Sequence, residues 1–300
     1  MSADLSKPRG AKPHLPLVRI ALRQFWPLAA LFLLFAVGMA ALLVHHYHGW
    51  ADAVALRERV GSRTYHFALY PNHAETMTSR LLGDGKRLAL LPALYAALAA
   101  GLLTGREWET RRIILALGQS VSPVRWFVVR WTVLAALIAM PLAPVVALYR
   151  LNVVHAVDLD LLTYGIERQT AYFTLGPVTV AYVLLGVAAG ALAGTVLRNF
   201  LAAAVAGPAL TWLLVAVLVR SRAALLLDFP AWSKVDGYHP GGVLGLQFYD
   251  LLPQDSYLVD SLDTGDYWPY QLAESTVVIG VAVLLVLAAF RVLRGRTAQR

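Results

Sequence analysis

Apolar positions in this chain gather into long unbroken blocks separated by polar stretches. Five blocks hold no charged residue: Phe25–Val44, Leu88–Gly105, Trp131–Tyr149, Phe173–Leu197 and Phe200–Val219, of 20, 18, 19, 25 and 20 residues. A sixth, Leu272–Phe290, has 19 residues and a single acid, Glu274. The hydrocarbon core of a bilayer is about 30 Å thick and takes about 20 helical residues to cross. Within it every backbone N–H and C=O must be bonded inside the segment, which selects helices. The pattern therefore predicts an all-α integral membrane fold with six transmembrane helices, forming one domain over residues 1–300.

Composition agrees with the blocks. The chain is 58% hydrophobic and 15% charged, with a mean hydropathy of +0.60, whereas soluble proteins carry roughly 25% charged residues. The absence of cysteine excludes disulfides, thiolate metal ligands and thiol catalysis. The net charge of +8 would raise nucleic acid as a partner in a soluble protein, but here its placement gives it a different meaning. If the N-terminus is cytoplasmic, 15 of the 26 Lys and Arg fall on the inner side against three acids, Asp4, Glu107 and Glu109. The outer segments hold 11 bases and 14 acids. The excess of Lys and Arg on one side is the signature of cytoplasmic loops. The expected location is the cell membrane, multi-pass, with both termini cytoplasmic and no nucleic-acid partner. The first block exceeds the 7–15 apolar residues usual in a cleaved signal peptide, so it is expected to remain as a signal anchor.

On this topology the outer connections are residues 45–87, 150–172 and 220–271, and the inner ones are residues 106–130 and the two-residue turn Arg198–Asn199. Before the first span, Pro13–Trp26 interleaves Leu15, Leu17, Val18, Ile20, Ala21 and Phe25 with Arg19 and Arg23. That pattern predicts an amphipathic helix on the inner surface, at the least an anchor for the first span. Between spans two and three, Glu107 and Glu109 would open a short helix, where the helix dipole favours acids. Ile113, Ile114, Leu115 and Leu117 follow, and Gly118 and Pro123 punctuate its end. Spacing alone leaves two readings for this helix over about residues 106–122: an interfacial helix with a solvated face, or a docking helix for a cytoplasmic partner.

The stretch Gly105-Arg-Glu-Trp-Glu, followed by Leu117-Gly-Gln-Ser-Val-Ser-Pro-Val-Arg-Trp126, resembles the segment after the second span in exporter-type ABC transporter permeases, notably actinobacterial ones. Glu107, Glu109, Gln119, Ser120, Val121, Ser122, Arg125 and Trp126 match the pattern, while Arg111-Arg112 stands where the family has a Gly-Thr pair. A second similarity is Asp266-Tyr-Trp-Pro-Tyr-Gln-Leu-Ala-Glu274 at the start of the last span. The resemblance implies a cytoplasmic coupling helix that fits a groove on a separate ATP-hydrolysing subunit, with Glu107, Trp108, Glu109, Arg111, Arg112, Gln119, Ser120 and Arg125 at the docking surface. It also implies a second permease copy or paralogue, an outer gate near Trp268, Pro269, Gln271 and Glu274, and, as the alternative to a simple anchor, a brace for the coupling helix from the amphipathic helix before span one. No cofactor is expected in this chain; ATP and Mg would belong to the partner ATPase. In agreement, Gly83-Asp-Gly-Lys86 lacks the Gly-x-x-x-x-Gly-Lys-Ser/Thr spacing that cradles phosphates.

Other features are open to several readings. Gly186, Gly190 and Gly194 recur every four residues in the fourth span, which allows close helix approach, within the chain in preference to a partner-permease interface. Pro92, Pro141, Pro144, Pro177 and Pro208 lie in apolar blocks and would kink their helices. Apolar pieces of the outer loop, Ala223–Leu227, Val243–Leu246 and Phe248–Leu252, are too short to span and would be re-entrant or interfacial. His45, His46 and His48 crowd the outer end of the first span, but adjacent histidines point to different faces and no cluster of acids stands beside them, so no metal site is expected. Arg130 is expected to snorkel to the inner surface, and Glu274 to sit at the interface in preference to the membrane interior.

The functional expectation is a membrane permease subunit of an ATP-driven exporter with a path for hydrophobic or amphipathic cargo. The alternatives are a non-transporting scaffold or sensor, and an intramembrane enzyme. An enzyme needs polar groups converging at one depth, and the charge-free spans offer almost none.

Overall fold

The structure is a computed structural model and describes residues 15–60, 74–110, 123–159, 176–227 and 267–297. These residues form six helices: α1 (Leu15–Val60), α2 (Ala74–Glu109), α3 (Pro123–Asp158), α4 (Pro177–Leu197), α5 (Phe200–Leu227) and α6 (Tyr267–Thr297). The fold is all-α, with no strand among the described residues, and each helix holds a segment long and apolar enough to cross a membrane. Each apolar block falls on one of them.

Most helices outrun their apolar blocks. Residues 45–60 and 74–87, expected as outer loop, are helical extensions of α1 and α2, and Ala223–Leu227 is the last turn of α5. Hydropathy marks the part of a helix that lies in lipid, whereas the backbone ladder continues into water as long as nothing breaks it. The amphipathic stretch Leu15–Trp26 likewise runs on through Pro27 into the first span as one helix of 46 residues. Pro177 does not interrupt span four. It is the first residue of α4, where its missing N–H leaves no bond unmade. The other expected kink prolines, Pro92, Pro141, Pro144 and Pro208, are internal to helices that continue past them. Val243–Leu246 and Phe248–Leu252 lie outside the described residues.

The helix α4 is the centre of the bundle: 15 of its 21 residues are buried. It packs against α2, α5 and α6, while α1 packs chiefly on α3. Small residues bring α2, α4 and α5 into backbone contact. A Cβ on Gly186 would collide with the carbonyl oxygen of Ala93, and one on Gly190 with that of Ala97 and, at 2.8 Å, with the nitrogen of Gly101. At Gly194 it would lie 2.6 Å from Thr104 Cβ. Gly101 and Gly207 make the same approach to α5 and α2: their Cβ atoms would sit 2.5 Å from Ala203 O and 3.0 Å from Ala97 O. The rising pairs 93–186, 97–190 and 104–194 show that α2 and α4 run in the same direction. The pairs 101–203 and 97–207 show that α5 runs against them, as sequential threading requires.

Gly190 offers a direct test of this packing. Gly190→Ala forces two backbones apart and should destabilise the chain by about 1–3 kcal/mol, read as a lowered Tm in detergent. Gly280→Ala, where nothing lies within 4 Å, should leave Tm unchanged.

Candidate functional site

The candidate site is the arginine-rich end of the bundle, where α2 stops. Thr110 ends the helix by donating both its N–H (3.0 Å) and its hydroxyl (2.8 Å) to Arg106 O. Glu107 and Glu109 therefore stand in the last turn of α2, not in the first turn of a separate helix. An acid at a helix C-terminus opposes the dipole, so each needs a local partner. Two residues along a helix turn the side chain by about 200°, and the two carboxylates face opposite sides.

Glu107 faces α3. It is 4% exposed and forms an ion pair with Arg130, itself 6% exposed. Trp126 Nε1 donates to Glu107 Oε2 at 3.5 Å. The Arg130 guanidinium lies 5.2 Å from the Phe25 ring centre and 5.1 Å from that of Trp126. The Arg130 head is buried against a carboxylate in the last turn of the neighbouring helix. Two aromatic faces enclose the rest of its charge. This pairing links α1, α2 and α3.

Glu109 faces the turn between α4 and α5, and accepts a hydrogen bond of 2.7 Å from Asn199 Nδ2. Between the two acids, Trp108 lies under Arg198, whose guanidinium is 4.9 Å from the ring centre. Arg198 closes α4 in the left-handed conformation (φ 57°), with its N–H on Gly194 O at 3.1 Å. Asn199 caps α5 by accepting from the Ala202 N–H at 2.9 Å. Sequence reasoning singled out Glu109 and Trp108 but not Asn199 or Arg198, although Asn immediately before an apolar helix is a standard capping signal. Arg125 is half-buried in the first turn of α3. Arg111, Arg112, Gln119 and Ser120 lie outside the described residues.

The opposite end holds a second set of polar links. Asp84 is fully buried, with His46 Nδ1 of α1 at 2.7 Å and Arg87 Nη1 at 3.0 Å. One acid, not a cluster, thus stands beside His46. Asp84 is 38 residues from His46 in the chain, and only the pairing of α1 with α2 brings them together. No three His, Asp or Glu side chains converge to hold a metal among the described residues. Nearby, Tyr149 donates to Leu81 O at 3.1 Å and Asn152 to Leu43 O at 3.3 Å. Gln271 accepts from the Val178 N–H at 3.4 Å, at the open start of α4, and Glu274 accepts from the Tyr182 hydroxyl at 2.7 Å. Glu274 is therefore buried between α4 and α6, and the tyrosine supplies the donor its carboxylate needs. Trp268 is exposed and lies under Arg150 of α3 at 5.5 Å, with Pro269 beside it in the first turn of α6.

Between the two ends, α1, α2 and α5 border a cavity of about 510 Å³ lined by apolar side chains, among them Phe32, Phe35, Leu91, Leu94, Tyr95 and Pro208. The Tyr95 hydroxyl donates to Leu28 O at 2.6 Å and pins α2 to α1 beside it. Exposed Leu31, Leu34 and Leu91 rim the cavity.

A family model described as ABC-2 membrane transporter related matches residues 26–223. No curated protein and no solved structure matches the chain.

The Glu107–Arg130 pair makes a quantitative prediction. Arg130→Ala leaves a buried carboxylate uncompensated and should cost about 3–5 kcal/mol. Replacing both partners, Glu107→Leu with Arg130→Met, should recover most of that loss. Thermal unfolding of the single and double variants in detergent measures both.

Proposed function

Because the chain belongs to the ABC-2 membrane transporter related family, we propose that it is the permease subunit of an ATP-driven exporter, working with a separate ATP-hydrolysing subunit. The observation that carries this reading is the family match over residues 26–223, a range that takes in α2, α3 and α4 whole, most of α1 and α5, the apolar cavity and the whole segment between α2 and α3. The chain contains no phosphate-cradling Gly-x-x-x-x-Gly-Lys-Ser/Thr run, so ATP and Mg are bound by the partner.

The arginine-rich end faces the cytoplasm, in keeping with the preference of Lys and Arg for that side, and both termini lie there in the cell membrane. Residues 106–125 form the docking surface for the ATPase. Within it Glu107 anchors the surface to α3, and Trp108 is covered by Arg198. Contact with the partner therefore falls to Arg111, Arg112, Gln119, Ser120 and Arg125. Two permease copies, or this chain and a paralogue, enclose the path. ATP-driven closure of the ATPases shifts the docking segments and switches access by rigid-body movement. The cavity beside α1 is lined by apolar groups and bordered by exposed leucines, which suits a hydrophobic or amphipathic cargo taken from the bilayer.

Affinity purification of the full chain from membranes tests the reading. A P-loop ATPase should accompany it. Arg111→Glu with Arg112→Glu should reduce the recovered ATPase several-fold, with Tm unchanged. Equal recovery and equal ATP turnover in that variant would place the docking surface elsewhere.

A further inference from the structure

We infer that Asn199, together with Arg198, is a positioning residue that carries movement of the segment after α2 into α4 and α5. This rests on the permease reading above and names the route by which the docking segment reaches the spans.

The first argument is chemical. Capping α5 requires only an oxygen that accepts from the Ala202 N–H, and Ser, Thr or Asp serve as well in that position. Of these residues Asn alone also presents an amide donor pair. Here that donor is used: Nδ2 reaches Glu109 Oε1 at 2.7 Å while Oδ1 caps the helix at 2.9 Å. One side chain thus binds the start of α5 and the end of α2 at once.

The second argument is conformational. Arg198 is the one non-glycine residue with positive φ among those described. A glycine would adopt this geometry more readily, but it could not place a guanidinium 4.9 Å over Trp108. The residue that strains the turn is also the one that grips α2.

The third argument is steric, and it decides the stiffness of the joint. Glu109 and Asn199 are both exposed, so water competes for their bond. Beneath it, Gly105 brings the α2 backbone onto the turn itself. A Cβ there would lie 2.8 Å from both Asn199 O and Phe200 Cα. No flexible side chain separates the two backbones, but bare contact allows the turn to slide along α2, so displacement passes to α4 and α5 only while the polar contacts hold the register. The backbone contact supplies stiffness, and the polar contacts hold the register. Glu107, on the other side of the same turn, grips α3. The last turn of α2 therefore drives two outputs, α3 through Glu107 and the α4–α5 turn through Glu109.

The test is hydrogen exchange on the full chain with its co-purified ATPase in lipid nanodiscs, with and without ATP and vanadate. In the native complex, nucleotide should alter exchange in residues 104–110 and in 198–210 together. Asn199→Ser keeps a capping hydroxyl but is too short to reach Glu109. Asn199→Asp keeps the cap and sets two carboxylates against each other, and Glu109→Lys removes the acceptor. In each of these the response at 104–110 should persist and that at 198–210 should be lost. Glu109→Lys combined with Asn199→Asp rebuilds an opposite-charge pair and should restore it. A response at 198–210 that survives all three single variants, or that the double variant does not restore, overturns the inference while leaving the permease reading intact. Absence of an accompanying ATPase, or of any nucleotide effect at 104–110, overturns the permease reading and this inference with it.

Discussion

Apolar side chains gain little by leaving lipid for the side of another helix, so association within a bilayer depends on close fit. In this chain the fit is made where α2, α4 and α5 meet. Gly186, Gly190 and Gly194 lie against Ala93, Ala97 and Thr104, and Gly101 and Gly207 complete the contact with α5. Each of these positions brings one backbone to another at a distance that a methyl group would not allow. The remaining architecture hangs on this trio. The helix α6 packs on α4, and the turn at Arg198–Asn199 rests on the base of α2 through Gly105.

Glycines set how closely helices approach, but they allow sliding along the axis. Register comes from polar groups, and these sit near the helix ends: His46 with Asp84, Glu107 with Arg130, Tyr182 with Glu274, Asn199 with Glu109. Every one of these contacts joins two different helices. Burying a charge is costly unless it is paired, so a slip by one residue at Asp84, Glu107 or Glu274 would leave a buried carboxyl without its partner, whereas the exposed Glu109 would lose only its bond to Asn199. The middle of the bundle is left to apolar and small residues, which tolerate lipid. Distance is thus governed at mid-depth, and register near the ends.

Much of this architecture was legible in the chain, for a physical reason. Crossing lipid demands a long run of apolar residues, so the six spans stand out without any knowledge of their neighbours. The four-residue glycine spacing of α4 pointed to close packing, though not to α2 as its partner. Helix ends were less legible, because residues 45–60 and 74–87 lack a long apolar run and are held by contacts distant in sequence, such as His46 with Asp84 and Tyr149 with Leu81 O. Least legible were the pairings. Nothing local in Asp84 or His46 reveals the other, and Arg130 read by itself is indistinguishable from a snorkelling arginine. Glu107 and Glu109 looked like the start of a helix because acids favour that position. They end one instead, because Arg130 and Asn199 supply locally what the dipole withholds.

The distribution of contacts also divides the molecule. The helices α2, α4, α5 and α6 form one closely packed group, and α1 with α3 form a second. The two groups share one apolar core, in which Trp131 of α3 meets Phe290 of α6 and Phe32 of α1 meets Tyr95 of α2, while the backbone contacts through glycine all lie within the first group. The apolar cavity sits on the seam, with α1 on one side and α2 and α5 on the other. Across that seam the Tyr95 hydroxyl donates to Leu28 O. A relative shift of the groups would leave the glycine contacts intact, because all of them are internal to one group. The last turn of α2 touches both groups, through Glu107 to α3 and through Glu109 to the α4–α5 turn. A force applied just beyond it acts where the two groups are joined.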